Sequence, residues 1–293
     1  MAKKILVTGA NGVIGSELTS LLLSKKNEFL PLVRKKTKQE HIEFDILKDD
    51  WKLLENLFSE VDSVVHLAAS INTGGTEKEN HKLQIINYDF TEYLLKLSVK
   101  NKIKKIIFSS TLSFIQKPLP EMILENSNIN PIYYYSLTKY KCEELIKKYS
   151  AFYNINYVII RISSPIIFDI EKMHDNFLKK WILLSKKGED FVIYGQGLRE
   201  QDFVATEDVA HAIYLALQDK EVKGIFNIAS GTSIALIDIA KLLVRKYKNS
   251  FELIEQEGVD EQWNVSIEKA KSELGYSPKY TSEQIIKKII EIS

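Results

Sequence analysis

The segment TGANGVIG at Thr8–Gly15 stands between a short β-branched run, Lys4–Thr8, and a stretch of helical period opening at Val13. This order of strand, glycine turn and helix restricts the chain more than any other feature. Gly9 permits a tight turn, Gly12 lets the backbone come up to a pyrophosphate, and Gly15 lets helix and strand pack closely. An anion there is held by unpaired N–H groups at the helix start and by the helix dipole. Gly9, Asn11, Gly12, Val13, Ile14 and Gly15 are therefore candidate cofactor-binding positions.

The alternation continues through the first half of the chain. Strands are expected at Lys4–Thr8, Phe29–Val33, Ile42–Phe44, Ser63–Leu67, Lys105–Ser109 and Tyr157–Arg161. Helices are expected between them at Val13–Lys26, Asp50–Phe58, Lys82–Lys100 and Tyr135–Tyr153. Repeated strand–helix units predict an α/β fold, a doubly wound parallel sheet of Rossmann type. After Arg161 the pattern loosens. Helices are expected at Asn176–Lys187, Asp208–Leu217, Leu236–Tyr247, Ile267–Leu274 and Ser282–Ile292, with strands at Phe191–Tyr194 and Gly224–Ile228, the latter returning to the main sheet. We assign residues 1–164 and about 203–230 to a dinucleotide-binding domain, and about 165–202 and 231–293 to a smaller C-terminal substrate lobe.

A formal net charge of +1 gives no field that would gather nucleic acid, and no basic run alternates with aromatics. Cys142 is the only cysteine, which leaves no internal disulfide and no cysteine metal site, so no metal is expected. The first apolar run ends at a glycine turn and not at a cleavage site. No stretch approaches the roughly 20 apolar residues that a membrane helix needs. These features predict a cytoplasmic protein acting on a small molecule, with no nucleic-acid or membrane partner.

In a dinucleotide site an acidic residue about 20 positions after the glycines normally receives the ribose 2′-hydroxyl. Here the second strand ends in LVRKK, placing Arg34, Lys35 and Lys36 in that region. Cations favour a 2′-phosphate and hence NADP, with NAD left open. Arg34 leads because a planar guanidinium both pairs with phosphate and stacks on adenine. Asp45 follows the third strand, positioned either to accept from the adenine amino group, with Ile46 against the ring, or to cap a helix.

In YYYSLTKYK only Tyr135 has a lysine four residues on, at Lys139, which places both on one helix face. A cation beside a phenol lowers its pKa from about 10 toward values useful to a proton carrier. FSSTLSF at Phe108–Phe114 puts hydroxyls at the carboxyl edge of the sheet, where open α/β sheets bind ligands. Thr111 is the candidate to hold the reacting oxygen, with Ser109 or Ser110 taking its place if the register differs by one or two.

Together these residues resemble the extended short-chain dehydrogenase/reductase family, which includes nucleotide-sugar epimerases, dehydratases and ketoreductases. The resemblance takes in TGANGVIG, HLAAS at His66–Ser70, Asn87, FSST, YSLTK, RISSP at Arg161–Pro165, GQGLREQDFVATEDVA at Gly195–Ala210, FNIAS at Phe226–Ser230 and ELGYSP at Glu273–Pro278. It implies a catalytic triad of Thr111, Tyr135 and Lys139, with hydride moving between nicotinamide and a substrate carbon. It also implies that Leu67, Ala68, Ala69, Ser109, Ser164 and Pro165 line the cofactor together with Tyr135 and Lys139. Ser70, Ser110, Arg199, Gln201 and Trp263 are the candidate substrate contacts, and a homodimer through paired long helices is plausible.

Sugar dehydratases of this kind carry an Asp-Glu pair after the triad threonine, whereas Leu112 and Ser113 follow Thr111. Cys142 lacks the histidine partner of a fucose-forming epimerase-reductase. Arg34 tilts the reading toward an NADP-dependent reductase of a nucleotide-linked 4-keto sugar. The alternatives are an NAD-dependent nucleotide-sugar 4-epimerase, a reductase of a small aldehyde or ketone, and an NADP-binding sensor or scaffold. Gln201 stands where such enzymes often place a diphosphate-binding arginine, with Arg199 two residues earlier as its substitute. His66 and Trp263 read as core residues before functional ones, and Asp208 as a helix cap.

Overall fold

The computed structural model describes residues 4–72 and 74–293. Seven parallel strands form the main sheet in the order β11-β6-β5-β4-β1-β2-β3. They are β1 (Lys4–Thr8), β2 (Phe29–Val33), β3 (Ile42–Glu43), β4 (Val61–His66), β5 (Lys105–Thr111), β6 (Asn156–Ile162) and β11 (Gly224–Ile228). This is the doubly wound order, with β11 added at the β6 edge as expected.

Successive strand residues serve opposite layers, as the two-residue period requires. Ile5, Val7, Val65 and Ile107 pack beneath α1 (Val13–Ser24) and α7 (Thr206–Gln218). Leu6, Val64, Ile106 and Phe108 pack beneath α2 (Glu55–Phe58), α4 (Phe90–Lys100) and α5 (Tyr134–Tyr153). Both faces are covered, which is why the strands read as nearly continuous apolar runs.

Three local departures matter for the site. β5 runs on to Thr111, so the candidate residue ends the strand. The helix expected from Lys82 begins earlier, as α3 (Glu77–Leu83), and passes through a π turn at Gln84–Asp89 before α4. Such single π turns mark places where a helix is bent to aim a side chain, here the buried Asn87. The Asp50–Phe58 helix is a 3₁₀ turn at Trp51–Leu54, capped by the Asp50 side chain, followed by the short α2.

A second core joins α6 (Phe177–Lys186), α8 (Leu236–Tyr247) and α10 (Ser282–Ile292) with β8 (Phe191–Tyr194). β8 pairs with β13 (Phe251–Ile254), a half-exposed strand that its composition does not announce. Short pairs, β7 (Ser164–Ile166) with β10 (Phe203–Ala205) and β9 (Glu200–Gln201) with β12 (Ile234–Ala235), connect this lobe to the main sheet. The C-terminal stretch serves both cores. Ala270 and Leu274 of α9 (Glu268–Leu274), and Tyr276 after it, pack in the main one.

Asp208 is not a cap. It lies inside the first turn of α7, whose N-cap is Ala205, and both of its oxygens accept from Lys279 N at 3.1 Å. Asp202, fully buried at the lobe junction, accepts from Ser230 N at 2.8 Å, Ser230 Oγ at 2.9 Å and Gly231 N at 2.9 Å.

A β-carbon at Gly15 would lie 2.2 Å from Gly9 O and 2.8 Å from Ala10 Cα, both backbone atoms. Gly15→Ala is therefore expected to lower unfolding free energy by about 1–3 kcal/mol, the usual cost of overpacking. Urea denaturation of the two proteins measures it.

Candidate active site

Gly9 turns the chain at φ +68°, and a β-carbon there would meet Ala68 N at 2.8 Å. Gly12 is the N-cap of α1 and contributes no side chain, so the first-turn N–H groups of Val13, Ile14 and Gly15 face outward without intrahelical acceptors. Asn11 Nδ2 donates to Lys35 O at 3.1 Å, tying the glycine turn to the end of β2, where Arg34 is exposed. A cradle whose walls leave no room for side chains, a bare helix start and a free guanidinium fit a dinucleotide with its phosphates on the turn. Asp45 is committed locally. It accepts from Leu47 N at 3.0 Å and pairs with Lys48 at 3.4 Å within a turn that precedes no helix directly, the cap of the next helical turn being Asp50, while Ile46 O accepts from Trp51 Nε1.

The loop after β4 is fastened from beneath. Thr8 Oγ1 accepts from Leu67 N at 3.2 Å and Ala68 N at 3.1 Å, and reaches His66 Nδ1 at 2.7 Å. With its acceptor capacity used, the hydroxyl donates to Nδ1, so the imidazole proton sits on Nε2 and is given to Thr91 Oγ1 at 2.9 Å. His66 is thus a neutral core residue, and burial holds its pKa down at about 3. Asn87 holds Ser70 by both backbone groups, at 2.8 and 3.0 Å, and donates to Thr138 Oγ1 at 3.1 Å.

Thr111 at the end of β5 faces the start of α5, where Tyr135 and Lys139 lie one turn apart. Lys139 Nζ donates to Ser109 O at 2.6 Å and stands 4.4 Å from the centre of the Phe108 ring. Thr111 Oγ1 donates to Ser113 Oγ at 3.1 Å and accepts from Ser113 N at 3.1 Å. Ser109 donates its hydroxyl to His66 O at 3.2 Å. Ser110 departs from its expected role as a substrate contact. It is buried and its hydroxyl is spent on Glu143, because alternate strand residues point to opposite faces.

On the lobe side Arg199 Nη2 donates to Gln201 Oε1 at 3.0 Å, and Gln201 Nε2 to Ser164 Oγ at 2.8 Å. Pro165 continues β7 beside them. Trp263 N donates to Glu200 O at 3.3 Å, and its ring packs on the main core. Arg199 Nε and Trp263 Nε1 are buried donors without acceptors among the described residues. No group of three or more His, Cys, Asp and Glu is placed to hold a metal among the described residues.

The family model described as "NAD dependent epimerase/dehydratase family" matches residues 5–229. The chain belongs to that family. It is 30% identical to a putative UDP-glucose 4-epimerase of Methanocaldococcus jannaschii over 98% of this chain and 97% of the other. Among solved structures it is similar to the UDP-glucose 4-epimerase of Thermotoga maritima with UDP-glucose, at 26% identity, TM-score 0.82, and 99% and 98% coverage. MoeE5 in complex with UDP-glucuronic acid and NAD shares the fold at 20% identity, TM-score 0.85, and 99% and 98% coverage. The chain is thus an enzyme of the extended short-chain dehydrogenase type, as its motifs imply. Among the described residues no helix is long and apolar enough to cross a membrane.

The electrostatics of this epimerase/dehydratase site correct one expectation. Lys139 does not lower the pKa of Tyr135. Burial pushes the phenol up to about 12, and the neighbouring Thr111 hydroxyl pulls back only part of the rise. Burial also brings Lys139 down to about 8, against the opposing effects of Cys142 and Glu143. For both groups desolvation is the largest effect.

An unfolded lysine holds its proton to about 10.5 and the native one only to about 8. The unfolded chain therefore binds more protons in that window, and stability from this residue rises with pH across it. The gain amounts to about 3 kcal/mol at 1.36 kcal/mol per unit. Denaturant unfolding at stepped pH is expected to show this rise in the wild type and its loss in Lys139→Met.

Proposed function

We propose that the chain is a nucleotide-sugar 4-epimerase acting on a uridine diphosphate sugar, with its nicotinamide dinucleotide retained between turnovers. The observation that carries this reading is the full-length likeness to a UDP-glucose 4-epimerase, read against a catalytic edge with no second acid or base. After Thr111 the chain continues with buried Leu112 and with Ser113, whose N–H and hydroxyl are both engaged by Thr111. No carboxylate stands there to expel a hydroxyl group, so dehydration lacks its acid.

Tyr135 takes the proton of the sugar 4-hydroxyl as hydride leaves the same carbon, giving a 4-keto sugar. Return of hydride to the opposite face and of the proton from Tyr135 completes the inversion, with no net oxidation. Thr111 orients the reacting oxygen, and Lys139 keeps a positive charge on that side of α5. The bound dinucleotide supplies the hydride acceptor and, when oxidised, a positive charge. Arg199, Gln201 and Trp263 offer donors to an acceptor-rich diphosphate, Arg199 Nε and Trp263 Nε1 having no other partner among the described residues.

The test is to incubate the purified protein, without added cofactor, with UDP-glucose, UDP-N-acetylglucosamine or UDP-glucuronic acid, and to follow the 4-epimer by chromatography. Interconversion of one pair is expected. Tyr135→Phe is expected to lower the rate by about 10²–10⁴, the range for a lost proton carrier, with dinucleotide affinity unchanged. Interconversion that survives this change would sink the role of Tyr135.

Exposed Arg34 favours a second reading, an NADP-dependent reductase of a 4-keto nucleotide sugar. Steady NADPH consumption by such a substrate, with no epimer formed from any UDP-sugar, would decide for it. Whichever reaction is run, Arg34→Asp is expected to weaken NADP binding by about tenfold or more and NAD binding little, because a paired phosphate contributes about 1.5–3 kcal/mol. Calorimetric titration with each dinucleotide measures the difference.

A further inference from the structure

Glu143 lies one turn beyond Lys139, so Tyr135, Lys139 and Glu143 follow one another along one face of α5. It is 0% exposed and its partner Arg161, on β6, is 2% exposed. The guanidinium meets the carboxylate through Nε to Oε1 at 3.0 Å and Nη2 to Oε2 at 2.7 Å, and its Nη1 donates to Glu125 O at 2.8 Å. Oε1 accepts one further bond, from Ser110 Oγ at 2.5 Å. Ser109, next to it, gives its carbonyl to Lys139. α5 therefore grips two consecutive residues of β5 with two ionic side chains, immediately before that strand delivers Thr111.

A wholly buried ion pair is a costly way to hold a sheet together, since apolar residues of like volume do as well. What it adds is direction. A two-point fork fixes the carboxylate plane, and a fixed carboxylate holds one hydroxyl in one place. We propose that Glu143 is a positioning residue for the reaction: through Ser110 it locks the end of β5 to α5, keeping Thr111 and Tyr135 in register, and it lends Lys139 a fixed negative charge. The inference rests on the triad read above and not on which sugar is used. The titratable groups acting on Lys139 are Cys142 and Glu143 on its own helix and His66 on β4, with Arg161 on β6 behind Glu143. His66 is neutral and burial keeps the Cys142 thiol protonated, its pKa pushed up to about 11, so Glu143 is the anion among them.

Ser110→Ala is the first variant, because it cuts the link to β5 and leaves the ion pair whole. The expected result is a fall in kcat of about tenfold or more with KM little changed, the sign of lost alignment. Faster exchange of the Thr111 amide in the cofactor-free protein is expected with it. A kcat within about twofold of wild type, or unchanged Thr111 exchange, overturns the positioning role. The second variant, Glu143→Gln, is read by carbon-13 NMR titration of Lys139 and by the pH profile of kcat. Both the titration and the alkaline arm are expected to move to lower pH, and a Lys139 titration that stays in place overturns the charge role. If Glu143→Gln does not fold, Ser110→Ala decides alone. The exchange and NMR readouts need no substrate. Inactivity on every nucleotide sugar alongside shifted exchange would therefore count against the proposed reaction and in favour of this inference.

Discussion

The approach of α1 to β1, backbone against backbone at Gly15 and Gly9, sets the reference point from which the site is built. The same turn begins at Thr8, and from its hydroxyl a line of buried polar contacts crosses the sheet edge. Thr8 donates to His66, His66 to Thr91, and Thr91 to Asn87 O at 2.5 Å. Asn87 then donates to Thr138, which donates to Tyr135 O at 2.7 Å. Each hydrogen along this line has one acceptor, so the chain admits one tautomer of His66 and one orientation of Asn87. A fully satisfied buried network of this kind specifies a single arrangement. The candidate cofactor turn and Tyr135 are thereby fixed to each other.

Desolvation is the dominant electrostatic effect in that interior. It holds His66 at about 3, Lys139 at about 8 and Tyr135 at about 12, in each case favouring the neutral form. Near neutral pH the phenol therefore keeps its proton. In the proposed epimerisation a base would be needed only while a hydroxyl is oxidised, and a bound oxidised nicotinamide would supply positive charge at that stage. On that reading the protein supplies a fixed geometry, and the charge that would bring Tyr135 into a useful range comes with the reactant state. This differs from the sequence-based picture, in which the lysine performs that service by itself.

Much of this was legible from residue order. The glycine turn between strand and helix, the hydroxyl run after Phe108 and the Tyr135–Lys139 spacing are local patterns whose geometry follows from helix and strand periods. What stayed hidden depends on distant residues or on burial. Ser110 is one residue from Thr111 and looks equivalent in sequence, yet the pleat turns it to Glu143. The Glu143–Arg161 pair joins elements with no sequence signal linking them. Asp208 carries the composition of a cap, but the chain end brings Lys279 N to it. β13 lacks the alternation that would announce a strand, because it is an edge strand with little buried surface.

Epimerisation demands more of the lobe junction than reduction does. In the proposed epimerisation hydride would leave one face of the sugar carbon and return to the other, while Tyr135 stays where the polar chain fixes it. The sugar must therefore turn while its diphosphate end remains held, which places the anchor and the reacting edge on different elements at a constant separation. On the proposed reading Asp202 serves this requirement. It follows the Arg199–Gln201 segment directly and is bonded to Ser230 and Gly231 beyond the end of β11, while Ser282 at the start of α10 bonds Phe203 N at 2.8 Å. Burial raises Asp202 to about 7, so ionising it in this junction carries a cost that its N–H and hydroxyl donors only partly offset.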